Sequence, residues 1–228
     1  MSLSRVILIT GASSGIGRAT AVGLSKAFPS PSHPEPLVLA LVGRRQDELE
    51  KTAQMCREGT KTEILSGDVS KESDVDRIFN TIKEKYGRLD VLFNNAGLNI
   101  TGGKPIEDVD MDKFRQMVDV NLMGAVLNGS ISAHSPRPNS TAYTVTKHAI
   151  LGLTKCTSLD GRKYGIMCTQ LDIGNAYTDL SAHSSKGTLQ ADGSIKVEPM
   201  MDADNVAKSV AFVAGLPKDA DVLQFTIM

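Results

Sequence analysis

Tyr143 and Lys147 stand four residues apart in the run Tyr143-Thr144-Val145-Thr146-Lys147, a spacing that stacks a phenol and an ammonium on one face of a helix. An ammonium beside a phenol favours the phenolate, so the pair could give or take a proton during carbonyl chemistry. Alone, Tyr-x-x-x-Lys is common and usually marks a solvated helix face. Its company changes that weight. Thr10-Gly11-Ala12-Ser13-Ser14-Gly15-Ile16-Gly17 follows the apolar run Val6-Ile7-Leu8-Ile9 and opens an amphipathic segment reaching about Ala27. Strand, glycine turn and helix in that order can cradle phosphate. Gly11 permits the tight turn and Gly15 lets backbone approach a pyrophosphate. Gly17 lets helix pack on strand, and the helix N-terminus attracts negative charge. Further on, Leu92-Phe93-Asn94-Asn95-Ala96-Gly97 ends another apolar strand with amide and small residues, where a doubly wound sheet opens its ligand crevice.

The elements that must position these residues follow from the apolar pattern. Strands are predicted near 5–10, 37–42, 62–66, 90–94, 165–171 and 222–227, with helices near 16–27, 46–58, 71–86, 111–126, 142–160 and 203–214. Such alternation means a parallel sheet covered on both faces: an α/β, Rossmann-like, three-layer fold built as a single domain over 1–228. Phe28 to Pro36, with four prolines and two serines, reads as an enlarged surface loop, an insertion without evident function. From Asp179 to about Val197 the chain is polar, with weak periodicity, so 178–200 reads as a substrate lid.

Composition sets limits. The 228 residues suit one α/β domain. The formal charge of −1 and pI near 6.4 give no sign of a nucleic-acid surface. Cys56, Cys156 and Cys168 lie far apart, with neither metal-ligand nor disulfide spacing, and read as buried small apolar residues in a reducing compartment. No apolar stretch approaches the ~18 residues of a membrane span, and the first strand begins too near Met1 for a cleaved signal. The expected location is cytoplasmic, with no membrane, metal or nucleic-acid partner.

The end of the second strand, Leu39-Ala40-Leu41-Val42-Gly43-Arg44-Arg45, bears on nucleotide choice. A carboxylate there suits the ribose 2′-hydroxyl of NAD, whereas a nearby arginine accommodates the 2′-phosphate of NADP. Two arginines and no acid favour NADP(H) over NAD(H), because a guanidinium matches phosphate in charge and geometry. Asp68 follows Ile64-Leu65-Ser66-Gly67; its alternative use, shared with Ser70, is to cap the helix near 71–86.

In order, the glycine turn, Asp68, Asn94-Asn95-Ala96-Gly97, Asn121, Ser130 and Tyr143/Lys147 make the chain resemble a short-chain dehydrogenase/reductase from about Arg5 to Thr226. Its Asp172-Ile173-Gly174-Asn175-Ala176 segment resembles uncharacterised bacterial and fungal members. The resemblance implies that Gly11, Ser13, Ser14, Gly15, Ile16, Gly17, Arg44, Arg45, Asp68, Val69, Asn95, Ala96, Gly97, Ile173 and Thr178 hold the dinucleotide. Asp68 would meet the adenine amino group, with Val69 lining the same pocket, and Thr178 the nicotinamide end, with Ile173 in place of a usual proline. It implies too that Ser130 polarises a substrate carbonyl and Tyr143 supplies the proton. Lys147 would hold the nicotinamide ribose and ease proton loss from Tyr143. Asn121, on a locally distorted helix, would carry a water toward Lys147. His134 and His148 have no such role and read as surface or substrate-loop residues. Small or medium carbonyl and alcohol substrates are implied. Ile131, Met200 and Met201 permit apolar ones without selecting any.

One spacing departs from the pattern. Only eight residues separate Asn121 from Ser130, where the family places the rest of a helix, a turn and the central fifth strand. Eight residues span ~12 Å as helix, too little for an outward helix and a returning strand. The fifth strand is therefore expected to be shortened or missing, with Asn121 or Ser130 displaced and the family's homo-oligomer contacts weakened. Two functions are compatible with this: an NADP(H)-dependent oxidoreductase, or a catalytically impaired dinucleotide-binding protein arising as a truncated isoform or imperfect gene model.

Overall fold

A computed structural model of the protein describes residues 4–101, 104–124, 137–178, 181 and 187–228. The chain divides into two compact units, one of Met1–Ala96 with Ala203–Leu216, the other of Gly97–Asp202 with Pro217–Met228.

The first unit is built on a four-stranded parallel sheet in the order β3-β2-β1-β4. β1 is Arg5–Thr10, β2 Leu37–Gly43, β3 Lys61–Ser66 and β4 Val91–Phe93. β1 and β2 are apolar without alternation and buried nearly throughout, as strands covered on both faces must be. Val6 and Leu8 of β1 join Val38, Ala40 and Val42 of β2 in a core closed by Ile78 and Ile82. Those two isoleucines lie one turn apart on α3, Glu72–Tyr86, so a single helical stripe covers that face. Ile7, Ile9, Leu39 and Leu41 alternate to the other side and are fully buried. There α1, Gly15–Ala27, packs along α6, Ala203–Ala214. Their contact is close because Gly23 faces Ala207: a Cβ on Gly23 would lie 2.7 Å from the alanine methyl. α2, Gln46–Met55, completes the cover beside α1.

The second unit carries α4, Met111–Val118, and the long α5, Thr141–Gly161. It also holds a parallel pair formed by β5, Gln170–Ile173, and β8, Gln224–Ile227, and a hairpin of β6, Thr188–Leu189, with β7, Ile195–Lys196. Asp172 on β5 is fully buried. Its two carboxylate oxygens accept from the amides of Gln170 and Gln224, each at 2.7 Å, as a buried polar group requires.

The structure amends several sequence expectations. The expected Rossmann-like α/β arrangement is present as the parallel sheet β3-β2-β1-β4 flanked by helices, while β5 with β8 and β6 with β7 form pairs of their own among the described residues. The expected fifth strand falls at 125–136, which lies outside the described residues together with Ser130, Ile131 and His134. The strand near 165–171 starts only at Gln170, because a 3-10 turn at Arg162–Tyr164 and left-handed Gly165 first end α5. Helix 111–126 stops at Val118 and gives way to a π turn. Part of the expected lid is the β6–β7 hairpin. Neither Asp68 nor Ser70 caps α3, whose N-cap is Lys71. Of the three cysteines only Cys168 is buried, and Cys156 is exposed. Burial pushes the Cys168 thiol up to about 11. Phe28, at the head of the proline-rich loop, is buried under the Arg5 guanidinium, so that loop is anchored to the first unit at its start.

Candidate functional site

In the first unit the glycine turn and the end of β4 are clasped together. The Thr10 hydroxyl accepts from the backbone N–H of Asn95 at 2.9 Å and of Ala96 at 3.0 Å. The Asn95 side-chain amide donates back to the carbonyls of Thr10 at 3.0 Å and Gly11 at 3.3 Å. Asn95 thus fixes the shape of the turn through its side chain. Gly11 and Gly15 have φ of 66° and 53°, the left-handed region that favours glycine. A Cβ on Gly11 would sit 2.9 Å from Ala96 Cα, and one on Gly17 only 2.3 Å from the Gly11 carbonyl oxygen. Gly17 therefore lets α1 press on the turn itself rather than on the strand. Thr10 was not singled out by sequence, since a threonine closing a strand has many uses. Thr10→Val should leave both N–H groups unpaired and cost about 2 kcal/mol. A denaturant midpoint unchanged from wild type would show the clasp to be dispensable.

The start of α1 fits an anion. Its N-cap Ser14 makes no side-chain capping bond and its first turn holds no acid, leaving amides and helix dipole for a negative group. Arg45, exposed at the end of β2, donates to the hydroxyls of Ser13 at 3.3 Å and Ser14 at 3.2 Å. Among the described residues neither Arg44 nor Arg45 forms a salt bridge. Arg18, by contrast, is neutralised by Glu48 at 2.5 Å. Lys51 and Arg18, donating to that carboxylate, hold it down to about 2. Asp68 lies at the end of β3, with Ser70 donating to its Oδ1 through hydroxyl, at 2.7 Å, and backbone. Burial alone would raise this carboxyl; the two Ser70 bonds and the charges of Arg44 and Lys71 outweigh it, so Asp68 is held below its ordinary value. Val69 packs on the first unit's core.

In the second unit, Asp119–Met123 is a π turn closed by Gly124 N–H donating to the Asp119 carbonyl at 2.7 Å. The expected helix distortion is therefore present, and Asn121 is at its centre, buried to 1 % exposure. Its side chain pairs twice with Leu98, accepting from the N–H and donating to the carbonyl, both at 2.8 Å. The turn packs against α5. Tyr143 and Lys147 occupy one face near the start of α5, with Nζ 5.4 Å from the phenol ring centroid. Tyr143 is half-buried and Lys147 buried. Ile173 closes β5 beside Ile227. The Thr178 backbone N–H donates to the Ser181 hydroxyl at 2.9 Å. His148 is exposed, with Nδ1 3.0 Å from the Thr144 carbonyl. No group of His, Cys, Asp or Glu among the described residues could hold a metal.

Residues 5–128 match the sequence profile of the short chain dehydrogenase family. The chain belongs to the short-chain dehydrogenase/reductase family. With that membership comes its coarse activity, NAD(P)-dependent oxidoreduction. A 3beta-hydroxysteroid dehydrogenase of Mediterraneibacter gnavus is 34% identical over 200 residues, 79% of this chain and 69% of that protein. An uncharacterized oxidoreductase of Listeria monocytogenes is 29% identical over 248 positions, covering 98% of this chain and 96% of that protein. The fold agrees with an NAD+-bound xylitol dehydrogenase at a TM-score of 0.84 and 23% identity, covering 100% of this chain and 99% of that one. No helix among the described residues is long and apolar enough to cross a membrane.

Sequence reasoning missed a polar cluster in this short-chain dehydrogenase/reductase. Arg137, Asn175, Gln190 and Glu198 come together from three separate segments of the second unit. No local motif could reveal it. The β6–β7 hairpin was legible after all: Asp192-Gly193 between Leu189 and Ile195 is a hairpin turn signal, and Gly193 has φ of 81°.

Proposed function

We propose that this chain is an NADP(H)-preferring oxidoreductase that interconverts a carbonyl and a secondary alcohol on a small or medium substrate. The observation that carries the preference is Arg45, a guanidinium without a carboxylate partner among the described residues. It rests on the Ser13 and Ser14 hydroxyls at the glycine turn, with no acid at the end of β2 to receive a ribose 2′-hydroxyl. Gly11, Gly15, Ile16 and Gly17 would admit the pyrophosphate to the start of α1. Asp68 and Val69 would border the adenine, and Ala96, Gly97, Ile173 and Thr178 the remainder of the dinucleotide. Bound nicotinamide supplies hydride to, or takes it from, the substrate carbon. Tyr143 would hold the proton for the carbonyl oxygen, and Lys147 would stabilise the resulting phenolate and bind the ribose. Asn121, at a π turn of the kind that opens a helix ladder, would position a water toward Lys147. Ser130 would polarise the carbonyl. We place the protein in the cytoplasm, acting on small molecules, with the homo-oligomer contacts of its family weakened by the short Asn121–Ser130 span.

Arg45→Ala should weaken NADPH binding about 10–100-fold, the loss of charge-assisted bonds worth roughly 1.5–3 kcal/mol, and leave NADH affinity unchanged. Calorimetric titration of both nucleotides reads this directly. Equal loss for the two would assign Arg45 to the turn's structure and remove the preference.

A second reading is favoured by a specific observation. The match to the Listeria oxidoreductase runs over 248 positions but takes in 98% of this chain of 228 residues, so about twenty-five positions have no residue here. Together with the eight residues between Asn121 and Ser130, this supports a dinucleotide-binding protein whose catalysis is impaired. Tyr143→Phe separates the two readings.

A further inference from the structure

Three segments of the second unit meet at one polar cluster. Arg137 closes the approach to α5. Asn175 follows β5, and Glu198 follows the β6–β7 hairpin. The Arg137 guanidinium donates to Asn175 Oδ1 at 2.9 Å and to Glu198 Oε2. Asn175 Nδ2 donates to the same Glu198 oxygen at 2.6 Å, and Gln190 of the hairpin donates to Glu198 Oε1 at 3.0 Å. Asn175 is thus bonded through both ends of its amide, and Glu198 through both oxygens. Donation from Gln190 and Asn175, with the charge of Arg137, holds the Glu198 carboxyl below its ordinary value. Backbone bonds run beside the cluster: Met201 N–H to the Asn175 carbonyl at 2.8 Å and Tyr177 N–H to the Met201 carbonyl at 2.9 Å.

The other side of Arg137 leads to Tyr143. The Ser140 hydroxyl donates to the Arg137 carbonyl at 2.6 Å and accepts from the Arg137 N–H at 3.2 Å. It also lies 3.0 Å from the Thr144 hydroxyl. Asn139 in this turn takes φ of 59°, an uncommon conformation outside glycine. The turn 137–140 therefore sets where α5 begins, and Tyr143 is in its first turn.

We propose that Arg137, Asn175 and Glu198 form a clasp that fixes the base of the hairpin segment 187–201 to the turn presenting Tyr143, making Arg137 a positioning residue for the reaction. The positioning role rests on the oxidoreductase reading above; the clasp does not. A planar guanidinium bridges two acceptors at fixed geometry, which a lysine ammonium cannot reproduce. Closing the segment between Asn175 and Glu198 carries a loop entropy that the clasp must offset. Removing it should free the hairpin before anything else in the unit opens.

The test is amide hydrogen exchange on the full chain, comparing wild type with Arg137→Leu, Glu198→Gln and the double variant. Exchange at Gln190, Tyr177 and Met201 should quicken about tenfold or more in Arg137→Leu, matching the loss of about 1.4 kcal/mol of local protection. The double variant should add little, and Ile7 and Leu8 of β1 should keep wild-type rates as a check on folding. Unchanged exchange at the three amides in both single variants overturns the clasp. Kinetics then test positioning: with NADPH saturating, Arg137→Leu should raise KM and lower kcat for a carbonyl substrate, and Arg137→Lys should recover only part. Wild-type kcat and KM in a variant with a loosened hairpin would overturn the positioning role. If wild type itself turns over no carbonyl while exchange responds as described, the clasp stands and the oxidoreductase reading fails.

Discussion

Tyr143→Phe is expected to cut turnover about 10²–10⁴-fold, the usual worth of a positioned proton donor, while NADPH binding stays as in wild type. Only the hydroxyl is lost. The ring that lies 5.4 Å from Lys147 Nζ remains, so α5 should keep its start and its packing on the π turn. The measurement is loss of nicotinamide absorbance against a panel of ketones and aldehydes, alongside a binding titration of each protein. A fall in kcat/KM without a change in nucleotide affinity places Tyr143 in the chemical step. Identical rates in wild type and variant would instead favour the impaired dinucleotide-binding protein.

The second large effect is on stability. Gly17→Ala should destabilise the fold by about 3 kcal/mol, the upper range for forcing a methyl into packed surroundings. Its Cβ would fall 2.3 Å from the Gly11 carbonyl oxygen and 2.5 Å from the Asn95 amide nitrogen. Backbone must move, since the nearest atom is the Gly11 carbonyl oxygen, and the moved atoms belong to the proposed nucleotide cradle. A Tm lowered by roughly 6–12 °C is expected for a chain of this size, with nucleotide affinity lost as well. Gly152→Ala supplies the contrast. That glycine lies within α5 with nothing near its Cβ position, so alanine should stabilise by roughly 0.5–1 kcal/mol. Equal Tm values for Gly17→Ala and wild type would mean that α1 does not press on the turn as described.

How legible the site was depended on how local its determinants are. The glycine turn, β1 and β2 could be read because each is a continuous stretch whose residue types dictate its conformation: unbroken apolar strands, then glycines where φ turns positive. Tyr143 and Lys147 could be read because i and i+4 share a helix face whatever the tertiary structure. The π turn at Asn121 was implied by resemblance alone, for nothing in Val118-Asp119-Val120-Asn121 forces an i to i+5 bond. The Thr10–Asn95 clasp joins residues 85 apart in sequence, and the Arg137–Glu198 pair residues 61 apart. No window of local pattern contains either. The misplaced start of β5 has a different cause. Ile166 and Met167 are apolar enough to suggest strand, yet they are exposed, because Gly165 ends the preceding helix in a left-handed turn that delays pairing until Gln170.

Arg44 and Arg45 illustrate a case in between. Two arginines after a strand suggested a phosphate from charge alone; the geometry adds that Arg45 is tethered to the serines of the turn while Arg18, three residues beyond Gly15, is spent on Glu48. A cation held near backbone amides is pre-organised for an anion.

The most direct test of the account is a titration of the purified chain with NADPH and, in parallel, NADH, followed by calorimetry and by thermal melting. A cooperative melt, saturable binding of both nucleotides and a clear preference for NADPH are expected, with Tm rising as NADPH exceeds its Kd. A cooperative melt that neither nucleotide shifts, with no heat of binding, would contradict it.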